Sequence, residues 1–262
     1  MENAKKNEKQ GKTQVFNLII LDKSGSMDYI RQAAVSGFNE TLEGIRKAQE
    51  KYEDSQEHNV SLVTFCSCET KYVYDRVPVS DARPLSMADY RPCCNTPLYD
   101  AMGFTLSSMR KHVEAVDDAV VVVTIITDGL ENASREYTQS AIKQLVEVLK
   151  GEGWTFTYMG ANQNSEEVAF NLSIRNSRNF DFSEEGTVAC MTKDADTRLN
   201  FYERLHDFHA DPKFASMRKE DRDVCYREMA DRAFDEEESK GREETTQEKR
   251  SRLSAILGKL FS

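Results

Sequence analysis

The chain has 262 residues, of which 39% are hydrophobic and 31% are charged, and its formal net charge is −10. This length is ample for a hydrophobic core without disulfide staples. An acidic chain is poorly suited to non-specific nucleic-acid binding, which relies on Lys and Arg neutralising phosphates. No apolar run approaches the roughly 20 residues that span a bilayer, and the polar N-terminus lacks the apolar core of a signal peptide. We therefore expect a cytoplasmic protein that binds neither nucleic acid nor membrane.

The first third of the chain alternates between apolar runs and amphipathic spacing. We expect residues 1–13 to form a disordered tail. The run VFNLIILD at 15–22 predicts a strand buried on both faces. Residues 27–51 carry apolar side chains at helical spacing, which predicts an amphipathic helix. The run VSLVTFC at 60–66 predicts a second strand, and KYVY at 71–74 predicts a short third strand paired with it as a hairpin.

The next elements continue this alternation. They are a helix at 98–113, a strand at 119–128, a helix at 137–150, a strand at 154–159, a short helix at 166–172 and a last strand at 179–182. The strand at 119–128, AVVVVTIITD, is the most β-branched stretch of the chain, and such residues favour strands over helices. The alternation predicts an α/β domain over 14–182, doubly wound, with a mainly parallel six-stranded sheet flanked by helices.

The character of the sequence changes after residue 182. We interpret 183–262 as a highly charged helical extension, with helical patterns at about 195–209 and 214–234. The tract 218–252 is so charged that we expect a solvated helix or a disordered linker. An apolar stripe marks the last turns as an amphipathic helix, which docks either on its own domain or on a partner. The stripe comprises Leu253, Ile256, Leu257, Leu260 and Phe261.

Oxygen-bearing side chains cluster where two strong strands end. The first strand ends at Asp22, followed by Ser24 and Ser26, and the strand at 119–128 ends at Asp128. The carboxyl ends of parallel strands meet at one edge of a sheet, so we expect these side chains to converge. Thr96, in a proline-containing loop that opens a helix, is placed to face the same edge. Such oxygen donors suit Mg²⁺, or Mn²⁺ as the alternative, better than zinc or copper.

The segments that carry these residues resemble the metal-ion-dependent adhesion site of von Willebrand factor A domains, particularly those of intracellular bacterial and phage type. They read DKSGS at 22–26, NTPLYDA at 95–101 and IITDGLENAS at 125–134. The resemblance covers about 15–182 and implies a Rossmann-like fold. It also implies a Mg²⁺ site in which Ser24, Ser26 and Thr96 supply hydroxyl ligands. Asp22 and Asp128 match the acids that commonly act through water.

Neutral hydroxyl ligands leave the ion electrophilic, with a position open to a guest oxygen. The resemblance implies that a partner protein supplies this oxygen from an Asp or Glu, which makes the chain a Mg²⁺-dependent adaptor. We expect Lys23 to add a surface cation beside the site. The predicted partner-binding rim consists of Lys23, Asn95, Glu131, Asn132 and Asn162.

Three other interpretations stay open. Asp22 and Ser24 are good helix caps, and Asp128 with Gly129 is a common turn pair, so either segment by itself has a purely structural explanation. The site superficially fits a Mg²⁺-dependent phosphoryl-transfer hydrolase, but Ser24 stands where phosphoaspartyl enzymes carry a second acid, so we predict no enzyme. A metal-independent scaffold that binds through its C-terminal helices is the third interpretation.

The cysteine and histidine spacings favour no second metal site. The six cysteines include no CxxC pair, so we predict free thiols, with a redox role kept open for the neighbouring Cys93 and Cys94. His206 and His209 lie one helical turn apart, but a zinc site needs three or four ligands, so we interpret them as ordinary histidines.

Overall fold

The computed structural model describes residues 11–161, 165–180 and 183–260, with side chains from 11 to 240 apart from that of residue 184. The strands are β1 (Thr13–Asp22), β2 (Gln56–Cys66), β3 (Glu69–Pro78), β4 (Ala119–Thr127), β5 (Thr155–Ala161) and β6 (Asn176–Phe180). The helices are α1 (Arg31–Lys51), α2 (Leu98–Val113), α3 (Gln139–Gly151), α4 (Ser165–Asn171), α5 (Glu184–His209) and α6 (Lys219–Leu260). A 3₁₀ helix at Gly25–Ile30 leads into α1.

The six strands form one sheet in the order β3-β2-β1-β4-β5-β6. All neighbouring strands pair in parallel except β2 and β3, which form an antiparallel hairpin at one edge. The central strand β1 pairs Asp22 with Phe65 of β2, and Leu21 with Ile126 of β4. The predicted α/β architecture, with its mainly parallel six-stranded sheet, is confirmed.

Alternate residues of β1 explain why the sheet is covered on both faces. Leu18 and Ile20 belong to a buried cluster with side chains of α2 and α3. Ile19 and Leu21 point the other way, into a cluster with side chains of α1. Because successive side chains of a strand face opposite sides, an apolar run without interruption needs a helical layer on each side.

The C-terminal helices belong to the core. Buried Tyr202 of α5 and Tyr226 of α6 pack in one cluster with Val15 of β1 and Val120 of β4. The hydrophobic core therefore does not end at residue 182, and the first half of α6 is not the solvated segment that its charge indicated. Aromatic residues spaced along these helices bury one side, and most of the charges remain on the other, although Asp194 and Arg198 are buried as a pair.

Several bounds differ from the predictions. β1 begins at Thr13, which is buried, so this residue belongs to the sheet and not to the tail. α5 begins at Glu184, eleven residues before the predicted helix, because packing against α1 stabilises a segment of weak helical pattern. The predicted disordered residues 1–10 lie outside the described part of the chain. The same holds for the side chains of the terminal apolar stripe. None of the helices in the described part of the chain combines the length and the apolar character that a membrane-spanning segment needs.

Candidate metal centre

Three loops meet at the carboxyl edge of the sheet. The first follows β1, the second precedes α2, and the third follows β4. The backbone joins the first two, since Cys93 N donates to Lys23 O (2.8 Å) and Gly25 N donates to Cys94 O (2.9 Å). The first loop is also tied to the end of β2 by Lys23 N, which donates to Phe65 O (2.7 Å). The sheet edge therefore holds these loops in a fixed relation.

The predicted ligand side chains converge there. Ser26 Oγ donates to Asp128 Oδ1 at 2.7 Å and lies 3.3 Å from Ser24 Oγ. Thr96 Oγ1 lies beside these hydroxyls. A Cβ added at Gly129 would lie 3.0 Å from Thr96 Oγ1 and 3.7 Å from Ser26 Oγ. A glycine at 129 is thus what leaves room for these hydroxyls.

Asp22 lies at the bottom of the site with no solvent-exposed surface. Its Oδ1 accepts from Ser24 N (2.6 Å), and its Oδ2 accepts from Thr127 Oγ1 (2.6 Å). The Tyr90 hydroxyl donates to the backbone oxygen of Asp22. Burial raises the pKa of Asp22 to about 6, although the hydrogen bonds from Thr127 and Ser24 act in the opposite direction.

Asp128 is the second buried carboxylate, and burial raises its pKa against the hydrogen bond from Ser26. Its Oδ2 is buried and has no hydrogen-bond partner within the described part of the chain. A buried carboxylate oxygen without a partner is costly. Its position beside three hydroxyls fits a divalent cation, which would satisfy it.

Thr96 is held in place by a residue expected at the rim. Thr96 N donates to Asn132 Oδ1 (2.9 Å), and Asn132 N donates back to Thr96 O (3.1 Å). Glu131 turns away from the site, because its carboxylate accepts from the backbone nitrogens of Tyr99 (2.9 Å) and Ser134 (2.6 Å). Asn132 and Glu131 thus position the loops, and the Glu131 carboxylate is committed to the start of α2.

The other residues predicted at the rim differ in their surroundings. Lys23 is buried and forms an ion pair with Glu69, so it is not the surface cation that we expected. Asn95 is exposed, as a rim residue must be. Asn162 lies outside the described residues. His206 and His209 contact different groups, Ser55 Oγ (2.8 Å) and Gly11 O (2.9 Å), which gives no support to a shared zinc site.

Sequence reasoning missed Thr127 and Tyr90, which both contact Asp22. The sequence position of Thr127 indicated a role only weakly. Its hydroxyl stands at the end of an apolar strand, directly before Asp128. Nothing in the sequence indicated Tyr90, because its contact with Asp22 depends on how the loop between β3 and α2 returns to the sheet.

The architecture is similar to that of a solved structure. The pilus adhesin SpaC from Lactobacillus rhamnosus GG, in its open conformation, is similar with a TM-score of 0.56 and 16% identity over 74% of this chain and 31% of that one. The six-stranded, mostly parallel sheet flanked by helices is consistent with the Rossmann-like fold of von Willebrand factor A domains that the sequence motifs imply. At this identity the likeness concerns the fold alone.

Two further likenesses have TM-scores below 0.5. Proximal thread matrix protein 1 from the mussel byssus, with a zinc-occupied MIDAS motif, gives 0.48 and 14% identity over 72% of this chain and 46% of that one. The SpRpn10 VWA domain gives 0.47 and 10% identity over 70% of this chain and 95% of that one. The chain spans less than half of the length of the adhesin and of the byssus protein. No family model and no curated protein matches the sequence.

Proposed function

We propose that this protein is a metal-dependent protein-interaction module. Its site would hold Mg²⁺, with Mn²⁺ as the alternative, and would bind an acidic side chain of a partner. The ion would be held by Ser24, Ser26 and Thr96 through hydroxyls, and by Asp22 and Asp128 through bridging water. When bound, it would supply an electrophilic centre for a carboxylate oxygen. We further propose an intracellular, cytoplasmic setting and the bacterial or phage type of domain.

The observation that carries the proposal is the Oδ2 of Asp128, for which the described residues offer no hydrogen-bond partner. It is buried beside the Ser26–Asp128 hydrogen bond, at the edge where Thr96 and Ser24 also present hydroxyls. Oxygen ligands of this kind favour hard cations. Two carboxylates only balance the charge of a divalent ion. The ion can therefore still attract a further anionic oxygen.

Binding is favoured over catalysis by the immediate surroundings of Asp22. Its Oδ1 and Oδ2 are both engaged by hydrogen bonds at 2.6 Å, and the carboxylate is fully buried. A nucleophilic carboxylate needs a free oxygen facing the substrate. Ser24 also occupies the position where the hydrolase alternative requires a second acid. We therefore propose no enzymatic activity.

Metal binding is tested by titrating Mn²⁺ into the metal-free chain and counting bound ions by electron paramagnetic resonance, with Mg²⁺ competing. We expect one site per chain, which Ser24→Ala and Asp128→Asn weaken at least tenfold. Ser80→Ala, an exposed serine near Asp81, is the matched control. Unchanged Mn²⁺ binding in both site variants would contradict the proposed centre.

Partner binding is tested by affinity capture with Mg²⁺ and again with EDTA. We expect proteins that are retained only with Mg²⁺, lost with Asp128→Asn, and competed by peptides rich in Asp or Glu. Capture that is equal in EDTA would favour the metal-independent scaffold. Mg²⁺-dependent phosphatase turnover that disappears in Asp22→Asn would favour the hydrolase.

A further inference from the structure

Four of the six cysteines come together beside the candidate metal centre, although they belong to two segments that are far apart in the sequence. Cys66 ends β2 and Cys68 lies in the β2–β3 turn, whereas Cys93 and Cys94 lie in the loop before α2. The Sγ atoms of Cys66 and Cys93 are 3.5 Å apart, and those of Cys68 and Cys94 are 3.0 Å apart. The Sγ atoms of Cys66, Cys68 and Cys93 all lie within 4.8 Å of one another.

Backbone contacts hold the two cysteine pairs in this position. Ser67, between Cys66 and Cys68, donates its N–H to Asn95 O (2.9 Å), and Asn95 N donates to Ser67 Oγ (3.1 Å). Cys94 has a φ of 63°, in the left-handed region that a residue with a side chain rarely adopts. Strained backbone of this kind concentrates at ligand sites, where the surrounding contacts enforce it.

We propose that Cys66, Cys68, Cys93 and Cys94 form a zinc site. It is separate from the candidate metal centre described above, which we call the oxygen-lined centre. Zinc in structural sites is tetrahedral with Zn–S bonds of about 2.3 Å, so the four sulfurs lie about 3.8 Å from one another. The Cys66–Cys93 and Cys68–Cys94 separations of 3.5 and 3.0 Å are shorter than this value, and the group within 4.8 Å comprises Cys66, Cys68 and Cys93. Coordination by all four sulfurs therefore requires side-chain rotations, including that of Cys94. Thiolates select zinc over Mg²⁺, which requires oxygen ligands.

The proposed zinc would join the β2–β3 turn to the loop before α2. Cys94 lies two residues before Thr96, and its backbone oxygen accepts from Gly25 N. The metal would therefore cross-link one of the segments that border the oxygen-lined centre to the neighbouring β2–β3 turn. Its role would be structural, because four protein ligands leave no open position for substrate.

The test begins with the full chain, purified in a reducing buffer without chelator, and its metal content measured by mass spectrometry. We expect one zinc per chain. Replacing it with Co²⁺ should produce the intense near-ultraviolet sulfur-to-cobalt charge-transfer band and the visible bands of a tetrahedral thiolate site. The spectrum of the wild-type chain decides the ligand type without any substitution.

Variants then assign the ligands. The double variant Cys68→Ser/Cys94→Ser changes the two exposed cysteines and should lose the zinc and the charge-transfer band. Cys225→Ser, outside the cluster, should keep both. Asp128→Asn should also keep both, which separates this site from zinc bound at the oxygen-lined centre and makes the result independent of the proposed function.

Three results would overturn the proposal. One is a reduced chain that retains no zinc and gives no charge-transfer band with Co²⁺. Another is iron in place of zinc in the purified chain. The third is peptide mapping that finds Cys66 bonded to Cys93, or Cys68 to Cys94, as disulfides in the chain extracted with a thiol-blocking reagent present.

Discussion

Thr127 Oγ1 donates a hydrogen bond of 2.6 Å to Asp22 Oδ2 and so connects the ends of the two central strands, β4 and β1. The same hydroxyl contacts both backbone groups of Gly129, at 3.1 Å each. Thr127 therefore orients the buried carboxylate and shapes the turn that carries Asp128, without itself being among the predicted ligands.

Thr127→Val should weaken Mn²⁺ binding by about 10- to 100-fold, the usual effect of losing a residue that orients a metal ligand. Valine keeps the shape of threonine but cannot donate to Asp22. The measurement is the Mn²⁺ titration described above. Thr157→Val on β5, a strand neighbouring β4, is the control and should bind normally. Equal affinity in the two variants would show that the Thr127 hydroxyl does not orient a ligand.

Gly37→Ala should destabilise the protein, whereas Gly44→Ala should not. Both glycines lie on α1 facing α5. A Cβ at residue 37 would lie 1.5 Å from Met191 Sδ, but a Cβ at residue 44 would meet its nearest atom, Ala195 Cβ, at 4.0 Å. Met191 is buried, so moving it disturbs the α1–α5 contact.

We expect a loss of about 1–3 kcal/mol for Gly37→Ala, from overpacking. Gly44→Ala should gain up to about 1 kcal/mol from helix propensity. Urea unfolding measures both. A gain in stability at both positions would mean that α5 does not approach α1 as described.

Arg198→Met should cost about 3–5 kcal/mol, because it leaves the buried Asp194 carboxylate unpaired. Arg198 Nε donates to Asp194 Oδ2 at 2.8 Å, and the guanidinium also contacts Asn17 of β1 (3.1 Å). The exposed Arg175, paired with Asp235 at 2.8 Å, is the control, and Arg175→Met should cost at most about 1 kcal/mol.

Thermal and urea unfolding measure the difference between these two variants. Arg198→Met/Asp194→Leu should recover much of the lost stability, since it removes the unpaired charge. If the double variant were as unstable as Arg198→Met, the lost free energy of unfolding would instead be due to packing.

His58 should contribute a loss of stability as the pH falls below about 6.5, opposite in sign to the contribution of Asp22, whose pKa is raised. Burial lowers the pKa of His58 to about 3, and the ring lies against Tyr202 at 4.7 Å between centroids. The folded state therefore keeps His58 neutral while the unfolded chain takes up a proton near its ordinary pKa of 6.5. Its contribution is present above that pKa and decreases between about 6.5 and 3.

Between pH 7 and pH 5 this residue should account for a loss of about 2 kcal/mol. In His58→Gln the change in unfolding free energy over the same interval should be smaller by about that amount. Urea unfolding at the two pH values is the measurement. Parallel pH dependence in wild type and variant would show that His58 is protonated in the folded state.

Much of the site was predictable because its residues follow strand ends. Asp22 and Asp128 could be placed at one edge from the apolar runs before them, and the Ser26–Asp128 hydrogen bond shows that the loops after β1 and β4 meet there. The direction of the Glu131 side chain could not be predicted, because it depends on the N–H groups at the start of α2. Lys23 was misassigned because only the β2–β3 hairpin brings Glu69 to it.

The amino-acid sequence by itself determined the alternation of buried strands and amphipathic helices, and hence the sheet and its oxygen-rich edge. These follow from local periodicity, which each segment carries within its own residues. The tertiary structure alone decided that α5 and α6 complete the core and that four cysteines from two loops form one cluster. Such relations join residues far apart in the chain, and their side chains meet only because the sheet and its helical layers bring them together.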